Sequence, residues 1–140
     1  MKILLVVATE QEIIKNKFNG CNILITGMGM VNTSIQITKE LMQNKYDLVI
    51  NMGVAGSFSQ DYIVGDVVEV VEDNFSELGF ENGNDFGLFS ESDIVTKYRV
   101  ESRTTLQKVK GITVNTVHGN DQSIDEIVNR LNADVESMEG

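Results

Sequence analysis

The stretch Ile3–Ala8, ILLVVA, is the starting point for the fold, because six consecutive apolar residues are typical of a strand buried on both faces. Similar runs recur along the chain and alternate with segments of helical period, which predicts an α/β fold with a mainly parallel sheet. The predicted strands are Ile3–Ala8, Ile23–Thr26, Asp47–Met52, Asp66–Val71, Ile112–Val117 and Ala133–Ser137. The apolar character of the third run, like that of the first, indicates a strand covered on both faces.

Two segments have the period of amphipathic helices. In VNTSIQITKELMQN the expected buried face is Val31, Ile35, Thr38 and Met42. In SIDEIVNRLN the corresponding face is Ile124, Ile127, Val128 and Leu131. Ser123 and Glu126 have the spacing of a capping box at the start of this second helix, and Arg130 would lie near the negative end of its dipole.

Composition excludes several classes of function. The chain has 140 residues and a formal net charge of −10, which argues against nucleic acid as a partner. Its apolar runs are too short to span a membrane. Cys21 is the single cysteine and His118 the single histidine, so we expect no disulfide, no metal site and a structural or loop-lining histidine. With no signal-peptide pattern at the N-terminus, these features predict a cytoplasmic protein.

Two turns after predicted strands contain candidate site residues. Glu12 follows the first strand, where it either caps a helix start together with Thr9 or orients a water molecule at the carboxyl edge of the sheet. Gly27 and Gly29 in TGMGMVN either form a tight turn or present backbone N–H groups to an anion. The stretch lacks the third glycine of a dinucleotide fingerprint and the lysine of a P-loop.

Two further strand ends suit a ligand with a planar part and a sugar. Gly53 and Gly56 in NMGVAGS leave room for a planar group or serve only the turn. The ending VESMEG places Glu136 and Glu139 at a strand end, with Met138 between them as core filler or as a contact for a sugar face. An ionised carboxylate such as that of Glu139 can accept hydrogen bonds from two vicinal hydroxyls.

The segment Asn74–Ser92 is rich in glycine, asparagine and acidic residues, and it also contains phenylalanines. These are Phe75, Phe80, Phe86 and Phe89. We interpret the segment as a long loop held by aromatic side chains, and long loops in compact domains are usually functional or mobile.

Taken in order, five stretches resemble the nucleoside phosphorylase/nucleosidase superfamily over essentially the whole chain. They are MKILLVVATEQEI, TGMGMVNTSIQITKEL, DLVINMGVAG, VGDVV and VESMEG. Within the superfamily the chain is most similar to the futalosine hydrolases, nucleosidases of an alternative menaquinone pathway, through VVEDNFSELGFENG, GITVNTVHG and VESMEG. The methylthioadenosine/S-adenosylhomocysteine nucleosidases are the nearest alternative, and a non-catalytic nucleoside-binding module is the other.

The resemblance implies a three-layer αβα sandwich with a mixed, mostly parallel sheet, formed as a single domain by residues 1–140. It also implies a purine nucleoside as ligand, no cofactor and a homodimer. Glu12 falls where the hydrolases carry the carboxylate that activates water, and Met138 and Glu139 fall on the ribose-contacting pair. The residues that fall on the base pocket are Val54, Ala55, Gly56 and Phe75.

Hydrolysis is expected in preference to phosphorolysis, because phosphate is usually held by arginine. Arg99, Arg103 and Arg130 all lie outside the glycine-containing turns. Members of the superfamily continue beyond VESMEG into a strand, which supplies an aspartate as general acid, and a helix. No residue here occupies that place, so the chain is expected to be truncated at the C-terminus, to self-associate and to have very low activity alone.

Overall fold

A computed structural model describes residues 1–83, 85–89 and 94–140. The chain divides into two units, of which the first holds residues 1–54 and 138–140 and the second holds residues 55–137. Each unit combines a helix with a sheet, and parallel pairings prevail in the two larger sheets. The predicted α/β class with mixed, mostly parallel sheets is therefore confirmed.

The sheet of the first unit has three parallel strands, with β1 (Ile3–Val7) between β2 (Asn22–Ile25) and β3 (Leu48–Asn51). The central strand is buried on both faces, as its apolar run predicts. The same prediction is wrong for β3, where Val49 and Ile50 are exposed, because this strand lies at the edge of its sheet.

Helix α1 (Met30–Gln43) joins β2 to β3, but it packs through a different face from the predicted one. Val31 is 65% exposed and Met42 is 82% exposed. The buried residue is Thr33, whose hydroxyl lies 3.1 Å from that of Thr26. The buried face of α1 is therefore centred on Thr33, and the apolar stripe is left outside.

The second unit contains a five-stranded sheet in the order β4-β10-β9-β5-β8. Its strands are β4 (Gly56–Ser57), β5 (Val68–Phe75), β8 (Lys97–Arg99), β9 (Gln107–Thr113) and β10 (Val135–Ser137). The three inner strands are parallel, and the two edge strands pair antiparallel to their neighbours. Helix α2 (Asp121–Leu131) joins β9 to β10. The most deeply buried apolar residues of this unit are Val109, Ile112, Val114 and Ile127.

Helix α2 begins earlier than the sequence predicts. Asn120 is the N-cap, and its side-chain oxygen accepts a hydrogen bond from the Ser123 backbone N–H at 3.0 Å. The predicted capping box of Ser123 and Glu126 is therefore wrong, because asparagine is as effective an N-cap as serine and stands upstream. Arg130 lies in the last turn, as predicted.

Part of the predicted long loop is a β-hairpin, formed by β6 (Gly79–Asn82) and β7 (Asp85–Leu88). Gly83 has a φ of 69°, and this left-handed conformation allows the tight reversal between the paired residues Asn82 and Asp85. Residues 74 and 75 belong to β5. The rest of the prediction includes residues 90–92, which lie outside the described residues.

Candidate active site

The carboxylate of Glu12 lies between two turns of the first unit. Glu12 ends a single 3-10 turn, Glu10–Glu12, that follows β1. Its Oε2 accepts a hydrogen bond from the Thr9 backbone N–H at 2.7 Å, which confirms the predicted cap. Its Oε1 lies 3.5 Å from the backbone nitrogen of Val54, beyond the end of β3. A Cβ on Gly53 would lie 3.0 Å from the same oxygen, so glycine there makes room for the carboxylate.

The side chain of Glu139 is fixed by the turn between β2 and α1. Its Oε1 accepts a hydrogen bond from the Gly29 backbone N–H at 2.8 Å. Gly29 is the N-cap of α1 and has a φ of 92°. The backbone carbonyl of Glu139 accepts a second bond from the side-chain amide of Asn51, also at 2.8 Å. The anion that the glycine turn could bind is therefore a carboxylate of this chain, placed where the helix dipole stabilises negative charge.

Glu12 and Glu139 thus contact turns and strand ends at the carboxyl edge of one parallel sheet. Neither carboxylate forms an ion pair among the described residues, and Oε2 of Glu139 has no hydrogen-bond partner there. Met138, in the same unit, is half-buried. The first unit therefore has two carboxylates without a cationic partner at the edge where open α/β sheets place ligands.

The residues predicted for a base pocket fall in both units. Val54 is exposed and belongs to the first unit, where its N–H faces Glu12. Ala55, Gly56 and Phe75 belong to the second unit. Ala55 and Gly56 are exposed, and Phe75 is half-buried with its ring edge-to-face against Tyr98, at 5.7 Å between centroids.

Sequence reasoning missed a pair in the second unit, formed by Glu136 and His118. Glu136 on β10 is only 4% exposed, and its two oxygens accept hydrogen bonds from the backbone N–H (2.9 Å) and Nδ1 (2.6 Å) of His118. The ring of Phe58 lies edge-to-face against the imidazole, at 6.1 Å between centroids. The available signal was that β9 and β10 are consecutive parallel strands, which brings the residues after β9 close to β10.

Another carboxylate of the second unit, Glu69, fastens the segment that precedes β9. It accepts hydrogen bonds from the Arg103 backbone N–H at 2.7 Å and from the hydroxyls of Thr104 and Ser102 at 2.8 Å each. Lys108 adds an ion pair at 3.4 Å. The Arg103 N–H, with smaller contributions from the two hydroxyls and Lys108, holds the pKa of Glu69 at about 2.

Asp73 on β5 has the opposite electrostatic character. Burial raises the pKa of this carboxyl, and a hydrogen bond from the Thr113 hydroxyl, at 2.6 Å, opposes part of the shift. The pair bridges β5 and β9, so we assign it to the packing of the sheet.

Over the described ranges of the chain, no group of three or more histidine, cysteine, aspartate or glutamate side chains is arranged to hold a metal ion. In the same ranges, no helix has the length and apolar character needed to cross a membrane.

The chain matches a model of the phosphorylase superfamily over residues 6–140, and it therefore belongs to this family. No match was found among curated protein sequences.

Solved structures share the fold at low identity. Futalosine hydrolase of Helicobacter pylori is 15% identical with a TM-score of 0.81, over 99% of this chain and 77% of the other. The 5'-methylthioadenosine/S-adenosylhomocysteine nucleosidase of the same organism is 14% identical with a TM-score of 0.79, over 99% and 75%. S-adenosylhomocysteine nucleosidase from Streptococcus pyogenes, in complex with 5-methylthiotubericidin, is 18% identical with a TM-score of 0.77, over 100% and 74%.

Proposed function

We propose that this chain is a cytoplasmic nucleosidase that hydrolyses the N-glycosidic bond of a purine nucleoside, with futalosine as substrate and a hypoxanthine-type base as leaving group. The observation that carries the proposal is the placement of Glu12 and Glu139, from distant parts of the sequence, at the carboxyl edge of the same sheet. Membership of the phosphorylase superfamily supports it.

Glu12 is the proposed base that orients the attacking water. Cleavage of an N-glycosidic bond passes through a cationic, oxocarbenium-like sugar, as in other glycosyl hydrolysis. Oε2 of Glu12 is held by the 2.7 Å bond from Thr9, while Oε1 has only the long 3.5 Å contact with the Val54 nitrogen. A fixed carboxylate with one weakly bonded oxygen can accept a proton from water and stabilise the positive charge that develops on the sugar.

Glu139 is the proposed acceptor for the ribose hydroxyls, with Met138 against the sugar face. The Gly29 N–H binds Oε1 and thereby orients the carboxylate, and Oε2 has no other partner in the described part of the chain. A carboxylate accepts hydrogen bonds from vicinal hydroxyls without needing a change of protonation.

Water is the proposed nucleophile, because the unit that contains Glu12 and Glu139 has no arginine to hold phosphate. The first unit contains no arginine. In the second unit Arg99 binds Glu72 at 2.8 Å, and Arg130 donates to the Ser76 carbonyl at 3.2 Å. An arginine fork suited to phosphate is therefore not positioned near Glu12 or Glu139 within their unit.

The substrate assignment rests on the resemblance described above, with the base contacted by Val54, Ala55, Gly56 and Phe75. Futalosine differs from 5'-methylthioadenosine and S-adenosylhomocysteine in carrying a benzoate and in releasing a 6-oxopurine in place of adenine. The three nucleosides are thus a direct test of specificity.

The test is release of free base from each of the three nucleosides, measured with and without phosphate. We expect the highest kcat/KM with futalosine and no dependence on phosphate. Glu139→Gln should lower kcat/KM by about 10- to 100-fold, since a bond to a charged group contributes ~1.5–3 kcal/mol. Glu101→Gln, at an exposed position, is the matched control. Strict dependence on phosphate, or faster release of adenine, would overturn the corresponding part of the proposal.

We also propose that the protein acts as a homodimer, which the exposed apolar face of α1 supports. Val31, Ile35 and Met42 are all exposed on one side of this helix, and an apolar stripe of this kind is favourable to bury. Sedimentation should show a dimer that Ile35→Lys dissociates, with Lys45→Glu, at an exposed position beyond the end of the helix, as control. A monomer at all concentrations would contradict this proposal.

A further inference from the structure

The function proposed above assigns no role to the buried pair of Glu136 and His118 in the second unit. Glu136 has lost nearly all contact with water, and removing a carboxylate from water costs several kcal/mol unless its bonds are replaced. Both oxygens of Glu136 are bonded to His118, at 2.9 and 2.6 Å. Gly56 lies on the neighbouring strand, and a Cβ on this residue would lie 3.3 Å from Cγ of Glu136. Space is therefore kept for this carboxylate.

The geometry fixes the tautomer of the neutral imidazole. An ionised carboxylate only accepts hydrogen bonds, so Nδ1 of His118 must carry the hydrogen that is bonded to Glu136. The lone pair of the ring then lies on Nε2. This nitrogen has no hydrogen-bond partner in the residues that the structure describes, and the histidine side chain is 18% exposed.

A purely structural role does not require this arrangement. Buried ion pairs are often no more stable than apolar residues of similar volume, whereas a carboxylate behind an imidazole is a recurring way to fix a functional tautomer. The oriented and unpartnered nitrogen is Nε2, so any ligand contact made by the pair is made there.

We propose that His118 is the specificity residue for the base, with Glu136 as its positioning residue. Nε2 of the neutral imidazole accepts a hydrogen bond from the ring N–H of a 6-oxopurine. In a nucleoside such a base has one ring N–H, at N1, and adenine has none. This inference rests on the proposed nucleoside function and deepens it, because it names the group that distinguishes the two classes of base.

The experiment uses 9-methylhypoxanthine and 1,9-dimethylhypoxanthine, which have no glycosidic bond and differ in the N1 hydrogen. The first should bind about five- to tenfold more tightly, as expected for one hydrogen bond. In His118→Phe, which keeps a ring of similar size, the ratio should fall to about one. An unchanged ratio in this variant would overturn the proposal, because the preference would then come from steric effects of the methyl group.

Nitrogen-15 spectra of histidine-labelled protein report the tautomer directly, since the chain has a single histidine. At mildly alkaline pH we expect a protonated Nδ1 and an unprotonated Nε2, with Nε2 shifting on addition of 9-methylhypoxanthine alone. Glu136→Gln should move the hydrogen to Nε2, because the amide can donate to Nδ1, and should abolish the preference for 9-methylhypoxanthine. Glu77→Gln, whose carboxylate binds Asn115 in the same region, should change neither result.

The wild-type spectra alone keep the proposal testable if Glu136→Gln does not fold. A hydrogen on Nε2 in the free protein, or ligand binding that leaves the Nε2 signal unmoved, would overturn it. A shift of Nε2 with 9-methylhypoxanthine in a protein that releases no base would support this inference and contradict the proposed hydrolysis. Base release together with an unmoved Nε2 signal would support the proposed hydrolysis and contradict this inference.

Discussion

Replacing Glu12 with glutamine separates its structural role from its proposed catalytic role. Glutamine keeps an oxygen that can accept the 2.7 Å bond from Thr9, and it is an accepted residue at this position of a capping box. The long 3.5 Å contact with the Val54 nitrogen adds little. We therefore expect the free energy of unfolding to fall by no more than about 1 kcal/mol, the difference between a charged and a neutral acceptor.

Catalysis should respond far more strongly, because an amide cannot take a proton from water. We expect kcat to fall by about 10²–10⁴-fold, the usual contribution of a general base. Urea unfolding and base release at saturating nucleoside should be measured on the same samples. Glu10→Gln is the matched control, since Glu10 lies in the same turn and pairs with Lys15 at 2.9 Å. A Glu12→Gln enzyme whose kcat stays near that of wild type would refute the assignment of Glu12 as the base.

Three further predictions concern stability in the second unit. Glu69→Gln should destabilise the protein at neutral pH, and the difference in stability from wild type should disappear as the pH falls to about 2. The reason is that the pKa of Glu69 is lowered in the folded state. Its stabilisation is therefore fully present above the ordinary pKa of 4.5 and is lost as the pH falls toward the folded-state pKa of about 2. A difference in the free energy of unfolding between wild type and Glu69→Gln that is the same at every pH would contradict this prediction. Asp73→Asn should stabilise the protein at neutral pH, with the gain shrinking toward pH 3.8, because a raised pKa means that the folded state disfavours the charge. A variant less stable than wild type at neutral pH would show that burial does not dominate. Ile112 is 0% exposed, so Ile112→Ala should lower the free energy of unfolding by about 2–5 kcal/mol and Ile112→Val by about 0.5–1.5 kcal/mol. Urea unfolding measures both values, and equal losses would contradict the packing described.

The sequence predicts the strands of the first unit well, because continuous apolar runs are local signals. Its errors concern choices made by tertiary contacts. Helix α1 buries Thr33, which contacts Thr26, and leaves exposed the face that its apolar period favours. Asn120 starts α2 before the expected serine, and Gly83 allows a hairpin where composition indicated a loop.

The candidate site was predictable only in part for the same reason. The spacing of Thr9 and Glu12 is visible in the sequence, and so is the pair of carboxylates in VESMEG. Spacing cannot show that Glu139 binds a backbone N–H 110 residues away or that Glu136 binds His118. These contacts depend on which strands are neighbours, and a single sequence does not state that pairing.

The turn at Gly29 has a consequence that concerns chirality. A Cβ built on Gly29 meets no atom within 4 Å, so crowding does not exclude a side chain there. The obstacle is the backbone itself, whose φ of 92° and ψ of 150° are essentially restricted to glycine among the coded residues. In a chemically synthesised chain, D-alanine at this position should leave the N–H directed at Glu139, whereas its mirror image, L-alanine, should displace it. The orientation of the proposed sugar-binding carboxylate therefore depends on the positive φ of one achiral residue.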